Sequence, residues 1–478
     1  MQTHKLRIFF TSVAMLAWPG HAFASSAAVA ASVPDLTGHF VGYAALILFA
    51  IAYLFVMLEE FTHLRKSKPV ILAAGVMWIL VAWQYASMGY PDQAGTAIRH
   101  NILEYAELLL FLLVAMTYIN AMEERLVFEN LKSWLTSKGF SYRKLFWITG
   151  IIAFFLSPVA DNLTTALVMC AVVLAVGSES PRFVGISCVN IVVAANAGGA
   201  FSPFGDITTL MVWQKGIVDF WTFFALFLPA TISYLIPAAI MHFAVPNKMP
   251  PPSDEKIEML YGAKVIMVLF LATIITAVCF HNFLHLPPMV GMMTGLSYLL
   301  FFGYYLKKKY KNGDIQSRKG DDESASNSDS IITFDVFNKV KQAEWDTLLF
   351  FYGVILCVGA LGQIGYLSIM SELMYLQMGP LFANSMVGFL SAIVDNIPVM
   401  FAVLSMNPDM SQGHWLLVTL TAGIGGSMLS IGSAAGVALM GQARGKYTFF
   451  GHLKWAPAIM LGYAAGIASH MWINASHF

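Results

Sequence analysis

Apolar residues in this chain come in long unbroken runs. They show neither the period-two alternation of a half-buried strand nor the single apolar stripe of a soluble helix. Runs long enough to cross a bilayer occupy residues 40–58, 70–88, 105–122, 184–213, 222–245, 263–283, 288–306, 345–363, 413–442 and 455–474. A helix needs roughly 20 apolar residues to cross about 30 Å of hydrocarbon. Two further runs, 145–176 and 381–406, fit less simply. The first would make a helix of about 48 Å at 1.5 Å per residue, too long for one crossing and too short for two.

The hydrophilic connections set the direction of the spans. Residues 59–69, 123–144, 307–344 and 443–454 carry Lys and Arg, among them Arg65, Lys66, Lys68, Arg125, Lys307, Lys308, Lys309 and Arg444. Such loops belong on the cytoplasmic side. The segments 89–101, 284–287, 366–380 and 407–412 hold one Arg and no Lys, and belong outside. For all loops to keep their sides, 145–176 must enter and leave from within. It reads as a re-entrant hairpin with its tip at Ser157–Asn162, where Pro158 ends the helix. Segment 381–406 reads as the same device entering from outside, with its tip at Ser391–Pro398. Residues 123–144 read as an amphipathic helix on the inner surface.

Composition agrees. The chain has 478 residues, of which 58% are hydrophobic and 11% charged. A soluble protein carries about 25% charged residues. Lys+Arg and Asp+Glu both number 27, so there is no basic face to hold nucleic acid. The expected fold is therefore an all-α polytopic membrane protein with about 10–11 transmembrane helices and two re-entrant hairpins. Residues 1–24 read as a signal peptide, cut after Ala24, or as a short first membrane helix. Residues 246–262, with Pro250, Pro251 and Pro252, form a cytoplasmic linker, and 307–344 form a flexible cytoplasmic insert. The four cysteines lie in apolar runs and none belongs to a CxxC.

The halves 40–245 and 263–475 resemble each other at three places in the same order. Leu103-Glu104-Tyr105 matches Ala343-Glu344-Trp345. Ser157 with Asp161-Asn162 matches Ser391 with Asp395-Asn396. Asn196-Ala197-Gly198-Gly199 with Gly205 matches Gly423-Ile424-Gly425-Gly426 with Gly432. The offsets are about 240, 234 and 227. By the loop charges, the paired elements run in opposite directions, which makes an inverted-topology repeat. Transporters built this way bind cargo near the midplane, where broken helices of both halves meet.

A carboxylate in hydrocarbon costs roughly 3 kcal/mol at a helix centre. Asp161, Asp206 and Asp395 nevertheless lie deep in apolar runs. Around them stand Ser157, Asn162, Asn196, Ser202, Thr208, Thr209, Ser391, Asn396, Ser430 and Ser433. These are hard oxygen and amide groups, suited to Na⁺ or a proton rather than to a transition metal. Sodium is expected at Asp161, Asn162, Asp395 and Asn396. Glu104 and Glu107 either mark the wet outer end of a span or, with His100 one turn before, form a proton entry point. No phosphate loop, nucleophile elbow or HExxH is present, so neither an enzyme nor an ATP-driven pump is expected, and no cofactor.

The two Asp-Asn tips, the stretch Asn196–Thr209 and the stretch Gly425–Ala434 resemble those of the NhaD-type sodium/proton antiporters of the ion transporter superfamily. That superfamily also holds divalent-anion/sodium symporters and arsenite permeases, which remain the alternatives. The resemblance covers nearly the whole chain after residue 40. It implies a homodimer with a scaffold and a moving transport part. It also implies exchange of Na⁺ or Li⁺ for protons, favoured at alkaline pH. It points to Asp161, Asn162, Asn196, Asp206, Thr208, Thr209, Ser391, Asp395, Asn396, Ser430 and Ser433 as functional positions. The dicarboxylate branch carries Ser-Asn-Thr at both tips. Asp-Asn in its place repels an anion and attracts a cation. The leader suggests a bacterial inner membrane, with the C-terminus in the periplasm.

Overall fold

The structure, a computed structural model, describes residues 34–62, 64–177, 179–249, 256–312 and 334–478, and among them no strand occurs. The expected leader, most of the insert 307–344 and the Pro-rich centre of the linker lie outside the described residues. Among those described, nine helices are long and apolar enough to cross a membrane.

The first group is α1 (Phe40–Met57), α2 (Ser67–Ser87) and α3 (Pro91–Glu124). α1 shows Phe40, Ile47 and Leu54 at its surface, as a helix facing lipid does. α3 corrects the expected outer loop 89–101. It is helical from Pro91 onward, because Pro91 sits in the first turn with its φ already set and Asp92 complements the helix dipole. Its 34 residues span about 51 Å. Glu104 and Glu107 therefore lie inside a long helix rather than opening one. The amphipathic α4 (Val127–Ser137) follows and packs on α3.

α5 (Tyr142–Ala160) and α6 (Asn162–Val176) are separated by Asp161 alone and pack against each other. The expected break at Pro158 is corrected: Pro158 stays inside α5, and the chain turns at Asp161, whose φ is 59°. Pro158 has no N–H for the Phe154 carbonyl. Gly198 packs against that carbonyl so closely that an added Cβ would collide with it. α7 (Pro181–Gly199) ends there, and after the break at 200–206 the chain resumes as α8 (Ile207–Gln214). A 3₁₀ stretch, Phe220–Leu226, leads into α9 (Phe227–His242).

α10 (Ala263–Leu284), α11 (Pro288–Lys311) and the short α12 (Val336–Lys341) precede α13 (Trp345–Ile364). Then the earlier pattern returns. α14 (Pro380–Val394) and α15 (Asn396–Met406) are parted by Asp395 alone, with φ 86°. α16 (Gln412–Gly425) breaks at 426–433 and continues as α17 (Ala434–Gln442), and α18 (Ala456–Ile473) closes the fold.

Leu36–Phe478 forms one unit with two packing groups. α2 packs on α1, α3 and α13, and α3 packs on α10 and α11. In the second group α7 packs on α5 and α6, α14 on α16, and α9 on α18. The half-helices after the breaks cross over between the matching halves: α8 packs on α15, and α17 on α6.

The basic segments gather at one end. Leu260 N donates to the Arg125 carbonyl, Lys339 pairs with Glu124 at 2.7 Å, and Tyr142 N donates to the Lys248 carbonyl. The opposite end holds Tyr85 against Gln363 and the C-terminal Phe478 against His414.

Candidate functional site

The crossing half-helices bring both hairpin turns and both breaks to one place. Asp206 caps α8 through Oδ1, which accepts from Thr208 N at 3.3 Å. Its Oδ2 accepts from Asn162 Nδ2 at 3.3 Å and from Asn396 Nδ2 at 2.7 Å. One carboxylate oxygen thus takes an amide from each turn, across the two halves of the chain. Asn162 Nδ2 also lies 3.1 Å from Asn196 Oδ1, and Asn196 Nδ2 donates to Ser427 Oγ at 2.9 Å and Ser433 Oγ at 3.0 Å. All of these side chains are buried. Buried polar groups bonded in this way fix one another's positions.

The turns match. Asp161 Oδ1 accepts from Thr164 N at 2.8 Å and Oδ2 from Thr164 Oγ1 at 3.0 Å. Asp395 Oδ1 accepts from Asn396 N at 2.8 Å. A non-glycine residue at positive φ costs about 1–3 kcal/mol and is found where the surroundings over-determine it. Here each carboxylate helps to hold its own turn by capping the next helix. Ser157 Oγ donates to the Ala195 carbonyl at 2.6 Å, and Ser391 Oγ to the Ala422 carbonyl at 2.7 Å. Each serine fastens its hairpin to the broken helix of the same half. Ser433 caps α17 as Asp206 caps α8, with φ −147° and −148°. The two halves differ at the centre: Asp206 and Asn196 correspond to Ser433 and Gly423.

Asp161, Asp206 and Asp395, with Asn162 and Asn396, line one cavity of about 180 Å³. It runs to Glu123, Glu344 and Lys66, so it reaches the basic end. At roughly 30 Å³ per water it has room for a partly hydrated small ion.

The remaining expected residues fall into three groups. Thr209 Oγ1 is spent on the Ser202 and Asp206 carbonyls, and Ser202 Oγ on the Pro158 carbonyl, so these brace the break. Thr208 Oγ1 and Ser430 Oγ are buried with no hydrogen-bond partner among the described residues. His100, Glu104 and Glu107 do not join the carboxylate cavity. They line a second one, of about 210 Å³.

Several contributing residues escape sequence reasoning. Ser427 bonds Asn196, and its carbonyl accepts from the buried His452 Nε2 at 2.8 Å, with Tyr447 OH on Nδ1 at 2.6 Å. Lys66 lies over the Phe350 ring at 4.6 Å and lines the carboxylate cavity. Lys215 pairs with Glu104 at 2.8 Å. Only Lys215 carried a visible signal: it is the sole Lys or Arg between Arg182 and Lys248.

Among the described residues no group of three or more His, Cys, Asp or Glu side chains is arranged as a metal-ion site. The donors that converge are single carboxylates, amides and hydroxyls, the set suited to a weakly held alkali ion.

Residues 53–423 match the citrate transporter family, CitMHS. The chain is 59% identical to the Na⁺/H⁺ antiporter NhaD of Alkalimonas amylolytica over 94% of each chain. It is 59% identical to the NhaD of Vibrio cholerae over 93% of this chain and 94% of the other. Sodium/proton antiporter 1 of Arabidopsis thaliana is 31% identical over 90% of this chain and 72% of its own. The family match takes in both hairpins and the first break, and the chain belongs to the NhaD-type antiporters of the ion transporter superfamily.

Proposed function

We propose that the protein is a secondary active sodium/proton antiporter, which extrudes Na⁺ or Li⁺ in exchange for protons. The observation that carries this reading is the 55–62% identity to four antiporters of that name over most of the chain. The citrate in the wider family's description is disfavoured by the cavity. Three carboxylates facing one space repel a tricarboxylate and attract a cation.

The two halves are inverted repeats, and the pairs α5–α6 and α14–α15 are re-entrant hairpins meeting near the bilayer midplane. Three features support this: the matching turns, the matching serine fastenings and the crossed half-helices. The basic end is cytoplasmic, the C-terminus is periplasmic and the membrane is the bacterial inner membrane. The open cavity then faces the cytoplasm. A homodimer completes the assembly.

The cation site is Asp161, Asp206 and Asp395 with the Asn162 and Asn396 amides. Proton and alkali ion compete for it. An empty site holds bare negative charge in a low-dielectric core, and moving it across the barrier is costly. A neutralised site moves more easily, so exchange follows without direct contact between the two ions.

Everted membrane vesicles carrying a proton gradient test the reading. Na⁺ or Li⁺ should collapse the gradient; the same pulses given as citrate salts should add nothing. Sodium-dependent citrate uptake without proton movement would overturn it.

A further inference from the structure

Away from the carboxylate cavity, the structure holds an ion pair between its two packing groups. Lys215 Nζ lies 2.8 Å from Glu104 Oε1, and His100 Nε2 lies 3.2 Å from the same oxygen. Glu104 stands on α3, which packs with α2, α10, α11 and α13. Lys215 ends α8, the half-helix that begins at Asp206 and packs on α15 and α16. The pair therefore bridges the group that holds the carboxylates and the group beside it. It does so at the end opposite to the one where the cavity opens.

The internal repeat adds an independent observation. Glu344 is the counterpart of Glu104 at an offset of 240. Glu104 is paired. Glu344 lines the open cavity and forms no ion pair among the described residues. Equivalent positions in the two halves are thus in different conditions: Glu104 is held by a cation and Glu344 is not, although both line cavities.

We propose that Glu104 and Lys215 form the outer latch of the transport cycle, made when the site faces the basic end and parted before the site can open to the other side. Glu104 is then a gate residue rather than a proton entry point. The side chains are 21% and 31% exposed, so the attraction is partly screened. A pair of that kind biases an equilibrium by about two- to fivefold, which suits a contact that must break in every cycle. The inference rests on alternating access and not on which ion is carried.

The test reads conformation directly. In full-length protein lacking its native cysteines, Leu108→Cys reports on the second cavity and Thr347→Cys on the carboxylate cavity. Leu108 is 2% exposed and lines the second cavity, and Thr347 lines the first. A membrane-impermeant maleimide is applied from each side of oriented vesicles. Glu104→Gln and Lys215→Gln should each raise labelling of the first reporter and lower that of the second, by about two- to fivefold. The exchanged pair Glu104→Lys with Lys215→Glu should return both toward the parent, and the single reversals should not. Unchanged labelling in both neutral variants overturns the latch. So does an exchanged pair no better than the single reversals. Lost antiport with unchanged labelling in Glu104→Gln alone would return Glu104 to proton entry. Labelling needs no ion flux, so the latch and the antiport reading fail separately.

Discussion

Asp206 is the residue on which both halves of the chain meet. Its Oδ2 takes Nδ2 of Asn162 and of Asn396, and among the described residues nothing else joins the two hairpin turns so directly. A hydrogen bond to a charged group contributes about 1.5–3 kcal/mol. Removing one amide by Asn162→Ala or Asn396→Ala should therefore weaken the apparent affinity for Na⁺ by about tenfold or more in vesicle assays. The shorter bond, at 2.7 Å, makes Asn396→Ala the more severe of the two. Equal affinity in both variants and the parent would remove these amides from the site. Asp161→Asn and Asp395→Asn act differently, because each side chain caps its own turn and lines the cavity. Asn keeps the capping oxygen and loses the charge. Both variants should insert normally, as read by membrane abundance, and lose sodium-dependent proton flux.

At the scale of elements, most of the spans, the stretches that contain the two turns, and the two Gly-rich breaks were legible because each has a local cause. An apolar run is long enough to cross or it is not, and an acid in its middle has to be explained. Pro158 misled because its effect is not local. Its missing N–H does not end the helix here; it leaves the Phe154 carbonyl for Gly198 to pack on, from a helix about 40 residues away. The outer half of α3 was hidden for the reverse reason: residues 91–104 are too polar to count as a span, yet after Pro91 they hold no second proline and only one glycine, Gly95, to disfavour a helix. Lys215 and Glu104 lie 111 residues apart, and no spacing rule connects them. The close helix contacts give a prediction. Gly198→Ala would drive a Cβ into the Phe154 carbonyl, and Gly425→Ala into that of Gly388, at equivalent places in the two halves. Overpacking of this kind costs about 1–3 kcal/mol. Both should lower the melting temperature of the purified protein by several degrees. Gly441→Ala, which meets nothing within 4 Å, should leave it unchanged or raise it slightly.

For the whole molecule, the matching of α5 to α8 with α14 to α17 yields a frame whose centre is nevertheless asymmetric. Asp206 and Asn196 stand on one side, Ser433 and Gly423 on the other. Gly423 leaves open the space beside Asp206, since an added Cβ would lie 3.8 Å from Oδ2. Each turn contributes one carboxylate and one amide, while the third carboxylate belongs to the first half alone. The three acids line a single cavity, so their titration belongs to the group and not to any one of them. That has a measurable consequence. Where protons and Na⁺ compete for the same charges, the sodium concentration for half-maximal exchange must rise as pH falls. It rises about tenfold per pH unit if one proton is displaced and about a hundredfold if two are, over the range in which the empty site is protonated. Half-maximal concentrations measured in everted vesicles from alkaline to neutral pH give that slope. With three acids lining the one cavity we expect it to approach two in the parent and to fall toward one in Asp206→Asn if that variant retains exchange. A slope of zero in the parent would mean that proton and alkali ion occupy separate places, and the shared cavity would lose its role.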